Sequence, residues 1–179
     1  AEYERYTVGT WVGEIRRLMT TRNFIVTDAG GQRIAAASTL WAMIDVKTRQ
    51  PLDLRDNVDY SRALLAIPCP IDKPAKIGRI EGVPCDSRRV RYSDIDFNQH
   101  TNSMKYIQWM LDALPLEKLT GCRIDVNFVH ETRYGQQLVV CCEYGTDRDR
   151  FEIRFEDGTA ACKAAIRWET SDERSNQTA

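Results

Sequence analysis

A hairpin pattern that occurs twice most strongly constrains the fold of this chain. Phe24 and Trp41 are 17 residues apart, and so are Phe151 and Trp168. Both segments carry strand-forming residues, turn at glycine, and return through an alanine-rich run that ends at tryptophan. Two such runs joined by a glycine turn are typical of an antiparallel hairpin. The sequence therefore predicts two copies of one β unit.

The same kinds of pattern predict the remaining elements. Strands of the first copy are expected at 11–15, 22–28 and 34–46. Strands of the second copy are expected at 88–92, 122–131, 137–144, 150–155 and 159–169. One long amphipathic helix is expected at 103–114, where apolar side chains recur at helical spacing and Pro115 follows.

A proline-rich segment divides the two copies. Five of the six prolines fall within residues 51–87, and each proline removes a hydrogen-bond donor from a strand. This segment is predicted to be a linker with at most one short helix near 58–66. The predicted domains are the C-terminal part of the first unit at 1–50, the linker at 51–87, the second unit at 88–169 and a polar tail at 170–179. Since the first copy has no counterpart of the helix, the numbering is expected to begin inside the first unit.

Composition and cysteine spacing argue against several classes of protein. The net charge of −1 at pH 7 gives no basic excess for nucleic-acid binding. No apolar run approaches the length of a membrane span, and no secretory signal is visible. The six cysteines form no C-x-x-C pair and there are only two histidines, so neither a metal nor another cofactor is predicted. Reduced thiols in a cytoplasmic protein are the expectation.

A polar loop directly before the predicted helix carries the first candidate site residues. Its pattern is Asp96-x-Asn98-x-His100-x-Asn102, and in an extended chain these side chains would point the same way. The N-terminus of a helix also stabilises negative charge on a reacting carbonyl. From residue types alone, Asn98 and His100 are better explained as a turn residue and a surface histidine. Asn102 is predicted to be the helix cap.

A second candidate is Glu131, at the end of the strand predicted after the helix. A glutamate at the end of a strand is usually solvated, so its pattern alone does not indicate a function. His130 is expected to lie on the opposite face from Glu131 and to be structural.

Residues 94–109, DIDFNQHTNSMKYIQW, resemble the signature of acyl-acyl carrier protein thioesterases, which include plant plastid enzymes and bacterial relatives. Thr10-Trp11, Arg22-Asn23-Phe24 and the run 38–43 resemble the first unit of the same family. The resemblance implies an α+β fold of two tandem hotdog domains. In each domain an antiparallel sheet is wrapped around a central helix, and the first domain would be incomplete at its N-terminus.

The resemblance also implies a function. It implies hydrolysis of fatty acyl-acyl carrier protein thioesters, which releases free fatty acid and terminates fatty acid synthesis in the bacterial cytoplasm. The family's machinery, carried over by motif, is Asp96, Asn98, His100 and Glu131. Plant members have a cysteine just after the glutamate, whereas this chain has Thr132, so a cysteine nucleophile at that position cannot be required.

The implied partners are acyl-loaded acyl carrier protein and its fatty acyl chain, and assembly into a homo-oligomer is left open. Acyl carrier protein is acidic, and basic residues cluster around the linker and the next strand. These residues are Lys73, Lys76, Arg79, Arg88, Arg89 and Arg91. Two alternatives remain: an acyl-CoA thioesterase on the same fold, and a non-catalytic acyl-binding module.

Overall fold

The chain forms two sheets in two separate units. The computed structural model describes residues 4–57, 59, 67–73, 75–115 and 121–169. Its elements in chain order are β1 (Thr7–Ile15), β2 (Thr20–Thr27), β3 (Arg33–Trp41), α1 (Leu54–Asn57), β4 (Val83–Arg89), α2 (Ser103–Asp112), β5 (Cys122–Phe128), β6 (Gln137–Glu143), β7 (Asp149–Phe155) and β8 (Ala160–Trp168). The units are Ala1–Pro74 and Ala75–Ala179. The predicted domain boundaries stay a prediction.

The first unit is an antiparallel sheet of order β1-β2-β3. The predicted glycine turn joins β2 to β3: one carboxylate oxygen of Asp28 accepts the N–H groups of Gly30 and Gln32, and Gly31 has φ +82°. The third strand is shorter than predicted and ends at Trp41. Beyond it, the Asp45 side chain accepts the N–H groups of the two residues at 47 and 48, which forms a turn where a strand was expected.

The second unit is a five-stranded antiparallel sheet of order β4-β6-β7-β8-β5 with α2 packed on one face. Tyr106, Trp109 and Met110 lie on one side of the helix because their spacing of three and four residues matches the helical repeat. They pack against apolar side chains of the strands, among them Leu138, Val140, Phe151, Ile153, Cys162, Ala164 and Ile166. This arrangement agrees with the α+β fold expected from the family resemblance.

The outer face of this sheet is covered as well. Residues 75–82, here named the strap, cross it and are held by side chains of the strands. The Asn127 side chain accepts the N–H of Ile77, and Arg154 donates to the carbonyl of Ile80, which is fully buried. Beneath the strap, the carboxylate of Glu152 lies 2.7 Å from Arg154 and 3.2 Å from the ammonium of Lys163. With α2 on one face and the strap on the other, β7 is covered on both faces.

The two hairpins are equivalent in backbone register. Phe24 pairs with Ala37 in the first hairpin, and Phe151 pairs with Ala164 in the second. The two partners are separated by the same number of residues in each pair. The register shifts after Val26 in the first hairpin and after Ile153 in the second, at the same place in the repeat. The repeat predicted from the sequence is therefore present in the pairing of the strands.

Several predicted bounds in the second unit were wrong. The strand expected at 88–92 is β4, which begins at Val83 and ends at Arg89, because Asp94 accepts the N–H of Arg91 and forms a 3-10 turn at Tyr92–Asp94. The strand expected at 122–131 ends at Phe128, because both following N–H groups donate to one carbonyl, that of Ala161. The helix is two residues shorter than predicted.

Two predicted segments lie outside the described residues: the short helix at 58–66, except for residue 59, and the tail at 170–179. Across the part of the chain that is described, no helix has the length and apolar character needed to cross a membrane.

Two methionines of α2 allow the packing of this helix to be tested. Met110 is 1% exposed and Met104 is 63% exposed. We expect Met110→Ala to lower the free energy of unfolding by about 2–5 kcal/mol, because it leaves a cavity between helix and sheet. Met104→Ala is the matched control and should change it by less than about 0.5 kcal/mol. Urea denaturation measures both, and equal losses would contradict this packing.

Candidate active site

The polar loop is a tight turn and not an extended segment. Asp96 N–H donates to the His100 carbonyl (2.9 Å), and Gln99 N–H donates to the Asp96 carbonyl (3.0 Å). Gln99 has φ +64°, a left-handed conformation that is uncommon for residues other than glycine. The loop is therefore not the extended segment on which the expectation of a shared side-chain direction was based. Turn geometry, and not strand alternation, places them.

Asp96 shapes this turn through its side chain. One of its carboxylate oxygens accepts the N–H of Asn98 at 2.9 Å and that of His100 at 3.3 Å. A carboxylate that accepts backbone N–H groups two and four residues ahead holds the intervening chain in a fixed turn. Asp96 therefore orients the backbone from which the Asn98 and His100 side chains project.

The structure brings His100 together with Glu131. The distance from His100 Nε2 to Glu131 Oε2 is 3.1 Å, and these side chains are 19% and 49% exposed. When neutral, an imidazole that donates from Nε2 keeps a lone pair on Nδ1, and when protonated it forms an ion pair with the carboxylate. Glu131 lies three residues beyond the end of β5, in an irregular segment. Local pattern could not predict this contact.

A cavity of about 350 Å³ opens beside this pair. Its lining residues are Tyr92, Ile95, Asn98, Gln99, His100, Arg133 and Tyr134. Of the four predicted site residues, Asn98 and His100 line it, whereas Asp96 and Glu131 are not among its lining residues. The other lining residues were not predicted from the sequence, among them Arg133 and Tyr134. Their position directly after Glu131 and Thr132 is the signal that could have indicated them.

Asn102 caps α2, as predicted. Its side-chain oxygen accepts the N–H of Met104 at 2.9 Å, and its carbonyl accepts the N–H of Lys105 at 2.8 Å. These two N–H groups of the first helical turn are therefore occupied. Among the described residues that line the cavity, Asn98 and Gln99 have side-chain amide groups that can donate to a carbonyl oxygen.

The other candidate groups lie elsewhere. His130 is bonded through Nδ1 to the Ala160 carbonyl at 2.8 Å. All six cysteines are free, and none lines the cavity. Burial raises the pKa of the Cys162 thiol to about 12, so the reactive thiolate is scarce at neutral pH. The described ranges contain no cluster of three histidine, cysteine, aspartate or glutamate side chains that could hold a metal ion.

Two family models match the chain. Residues 3–60 match the model described as the acyl-ACP thioesterase N-terminal domain, and residues 81–170 match the acyl-ACP thioesterase C-terminal domain. All four predicted site residues lie within the second match.

Individual proteins are similar over most of the chain. A crystal structure of an acyl-ACP thioesterase from Bacteroides thetaiotaomicron is 33% identical with a TM-score of 0.83, covering 93% of this chain and 70% of that one. The 12:0-ACP thioesterase from Umbellularia californica is 20% identical with a TM-score of 0.72, covering 93% and 66%, which supports the tandem hotdog fold alone.

A chloroplastic acyl-[acyl-carrier-protein] hydrolase from Cuphea viscosissima is 26% identical over 94% of this chain and 44% of its own length. A chloroplastic oleoyl-acyl carrier protein thioesterase from Coriandrum sativum is 32% identical over 63% of this chain and 34% of its own length. The chain thus spans less than half the length of these curated relatives.

The helix cap gives a test of the loop-to-helix junction. We expect Asn102→Ala to lower the free energy of unfolding by about 1 kcal/mol, since the Met104 N–H loses its acceptor. Asn102→Asp keeps an oxygen there and should stay close to the wild type. Ser103→Ala, at the next exposed position, is the control in urea denaturation. A loss of the same size from Asn102→Asp would contradict the cap.

Proposed function

Since the chain belongs to the acyl-ACP thioesterase family, we propose that it hydrolyses the thioester of fatty acyl-acyl carrier protein, releases the free fatty acid and so ends fatty acid synthesis. The contact between His100 and Glu131 beside the cavity carries this proposal. Hydrolysis by water needs a proton acceptor, a donor to the carbonyl oxygen and room for the thioester. Residues of the second unit supply all three.

In the proposed reaction a water molecule attacks the thioester carbonyl carbon. The pair of His100 and Glu131 takes a proton from this water, and either residue can serve as the base because they share a hydrogen bond. The Asn98 amide donates to the carbonyl oxygen as negative charge develops on it. The carbon–sulfur bond then breaks, and the sulfur leaves with a proton as the thiol of the carrier. Asp96 keeps Asn98 and His100 in place through the turn.

The proposed steps require no metal or other cofactor. Position 132, directly after the glutamate, is a buried threonine, so the proposed reaction does not use a cysteine nucleophile there. Attack by Glu131 itself, through an acyl anhydride that water then opens, is the covalent alternative.

Acyl carrier protein is the proposed partner, and some of the basic residues predicted to face it form ion pairs within this chain. Arg88 is within 2.7 Å of Asp86 and 3.2 Å of Asp112, and Arg79 lies 3.1 Å from Glu81. Their charges are therefore partly neutralised by neighbours. Arg89 and Arg91 are exposed at the end of the edge strand β4, next to Tyr92 of the cavity, and are the proposed contacts for an acidic carrier.

The cytoplasmic location predicted from the sequence stays a prediction, and the six free cysteines are consistent with a reducing compartment. Assembly into a homo-oligomer likewise stays a prediction.

Substitutions at the site test the proposed reaction. In the full-length protein we expect His100→Ala, Glu131→Gln and Asp96→Ala each to lower kcat for thiol release by roughly 10²-fold or more. Asp96→Asn should lose less, because its side-chain oxygen can still accept the turn's N–H groups. His130→Ala is the matched control and should keep wild-type kcat. Wild-type turnover in all three folded variants would contradict the assignment.

A carrier comparison separates this function from its alternatives. The same acyl group should be released with higher kcat/KM from acyl carrier protein than from CoA, and KM for the carrier should rise with salt. Arg89→Glu with Arg91→Glu should raise that KM several-fold, while Arg167→Glu, an exposed arginine on β8, should not. Faster release from CoA would make the protein an acyl-CoA thioesterase. Acyl binding without thiol release would make it a binding module.

A further inference from the structure

The residues that follow His100 and Glu131 are themselves bonded to each other. Thr101 N–H donates to the Thr132 carbonyl at 2.8 Å, and Thr132 Oγ1 donates to Thr101 Oγ1 at 2.6 Å. These threonines are 31 residues apart in sequence and are 5% and 0% exposed. They join the polar loop to the irregular segment after β5 at one buried point.

Tyr106, a residue of α2, forms hydrogen bonds with Thr132. Its hydroxyl accepts the Thr132 N–H at 3.1 Å and lies 2.8 Å from Thr132 Oγ1. Burial raises the pKa of Tyr106, which keeps the hydroxyl protonated and able to donate. Because Thr132 Oγ1 donates to Thr101, its remaining role is to accept from Tyr106. The donors and acceptors of the three side chains are therefore mutually consistent.

We propose that Thr132, together with Thr101 and Tyr106, is a positioning device that sets the distance between His100 and Glu131. Each side chain of the pair is one residue away from a threonine of this network, and neither lies in a strand or helix. The rings of Trp109 and Phe128 stand edge-on to Tyr106 at centroid distances of 5.7 and 5.9 Å, which fixes the hydroxyl.

The network has the properties that such a role requires. It is buried, so its hydrogen bonds do not compete with water, and a lost partner leaves an unsatisfied polar group. A displacement of about 1 Å in a catalytic group can lower a rate by about 10²-fold. The proposal rests on the pair proposed above, and its test includes a measurement that does not need activity.

Thr132→Val removes the hydroxyl with little change in shape, and Thr132→Ser keeps the hydroxyl. We expect Thr132→Val to lower kcat roughly 10- to 100-fold with KM changed less than about 3-fold. Thr132→Ser should stay within about 3-fold of wild-type kcat. Tyr106→Phe, which keeps the ring, should lower kcat in the same direction. It also provides the test if Thr132→Val does not fold.

Thr20→Val is the matched control. Thr20 is also a buried threonine, and its hydroxyl donates to a backbone carbonyl, that of Glu14, at 2.8 Å in the first unit. It should keep wild-type kcat. Unchanged kcat in folded Thr132→Val and Tyr106→Phe would overturn the proposal, and so would a Thr132→Ser enzyme as slow as Thr132→Val.

The measurement that does not depend on activity is the imidazole ¹⁵N spectrum. The chain has only two histidines, so their signals can be told apart. In Thr132→Val the His100 signals should move toward those of Glu131→Gln, while the His130 signals stay in place. Unmoved His100 signals would overturn the positioning role. If these signals move but the wild-type protein releases no thiol, the proposed function fails and the positioning role stands.

Discussion

The packing of α2 against the five-stranded sheet is the constraint on which the site depends. Tyr106, Trp109 and Met110 bury one side of the helix, and the helix begins immediately after the polar loop. The core therefore fixes the first residue of the helix. The hydrogen bond from Met104 N–H to the Asn102 side chain then fixes the end of the loop relative to the helix. The hydroxyl of Tyr106 extends the same constraint to the segment that carries Glu131. The same helix thus contacts both segments that carry the proposed catalytic pair.

The proposed chemistry lies on irregular segments, as is common for functional residues, but these segments are anchored by buried polar bonds. His100 and Glu131 are partly exposed, whereas the hydroxyls beside them are buried. This difference in exposure between the two sets of groups has a physical reason. Groups that meet the substrate need access to solvent and ligand, and groups that hold them in place are most effective where water cannot compete.

The periodicity of the sequence predicted the hairpins and the helix because each depends on contacts between near neighbours in the chain. It misplaced the end of β5, where two N–H groups donate to the carbonyl of Ala161. That end depends on the pairing of β5 with β8 and not on the residue types of β5. The periodicity also misread the polar loop, since the turn requires a positive φ at Gln99, which glutamine seldom adopts. The contact between His100 and Glu131 joins distant segments. Only the family resemblance pointed to these two residues together.

The equal register of the two hairpins bears on the order in which the chain can fold. Pairing β2 with β3, or β7 with β8, closes short loops and has a small entropic cost. The bonds of Thr101 with Thr132, and of Asn127 with the strap, join residues 31 and 50 positions apart. On contact-order grounds, the hairpins are expected to form first, and the bonds between Thr101 and Thr132 are expected to form later. The proposed catalytic pair is then expected to come together late, so a chain that has formed only its hairpins does not yet have the proposed site.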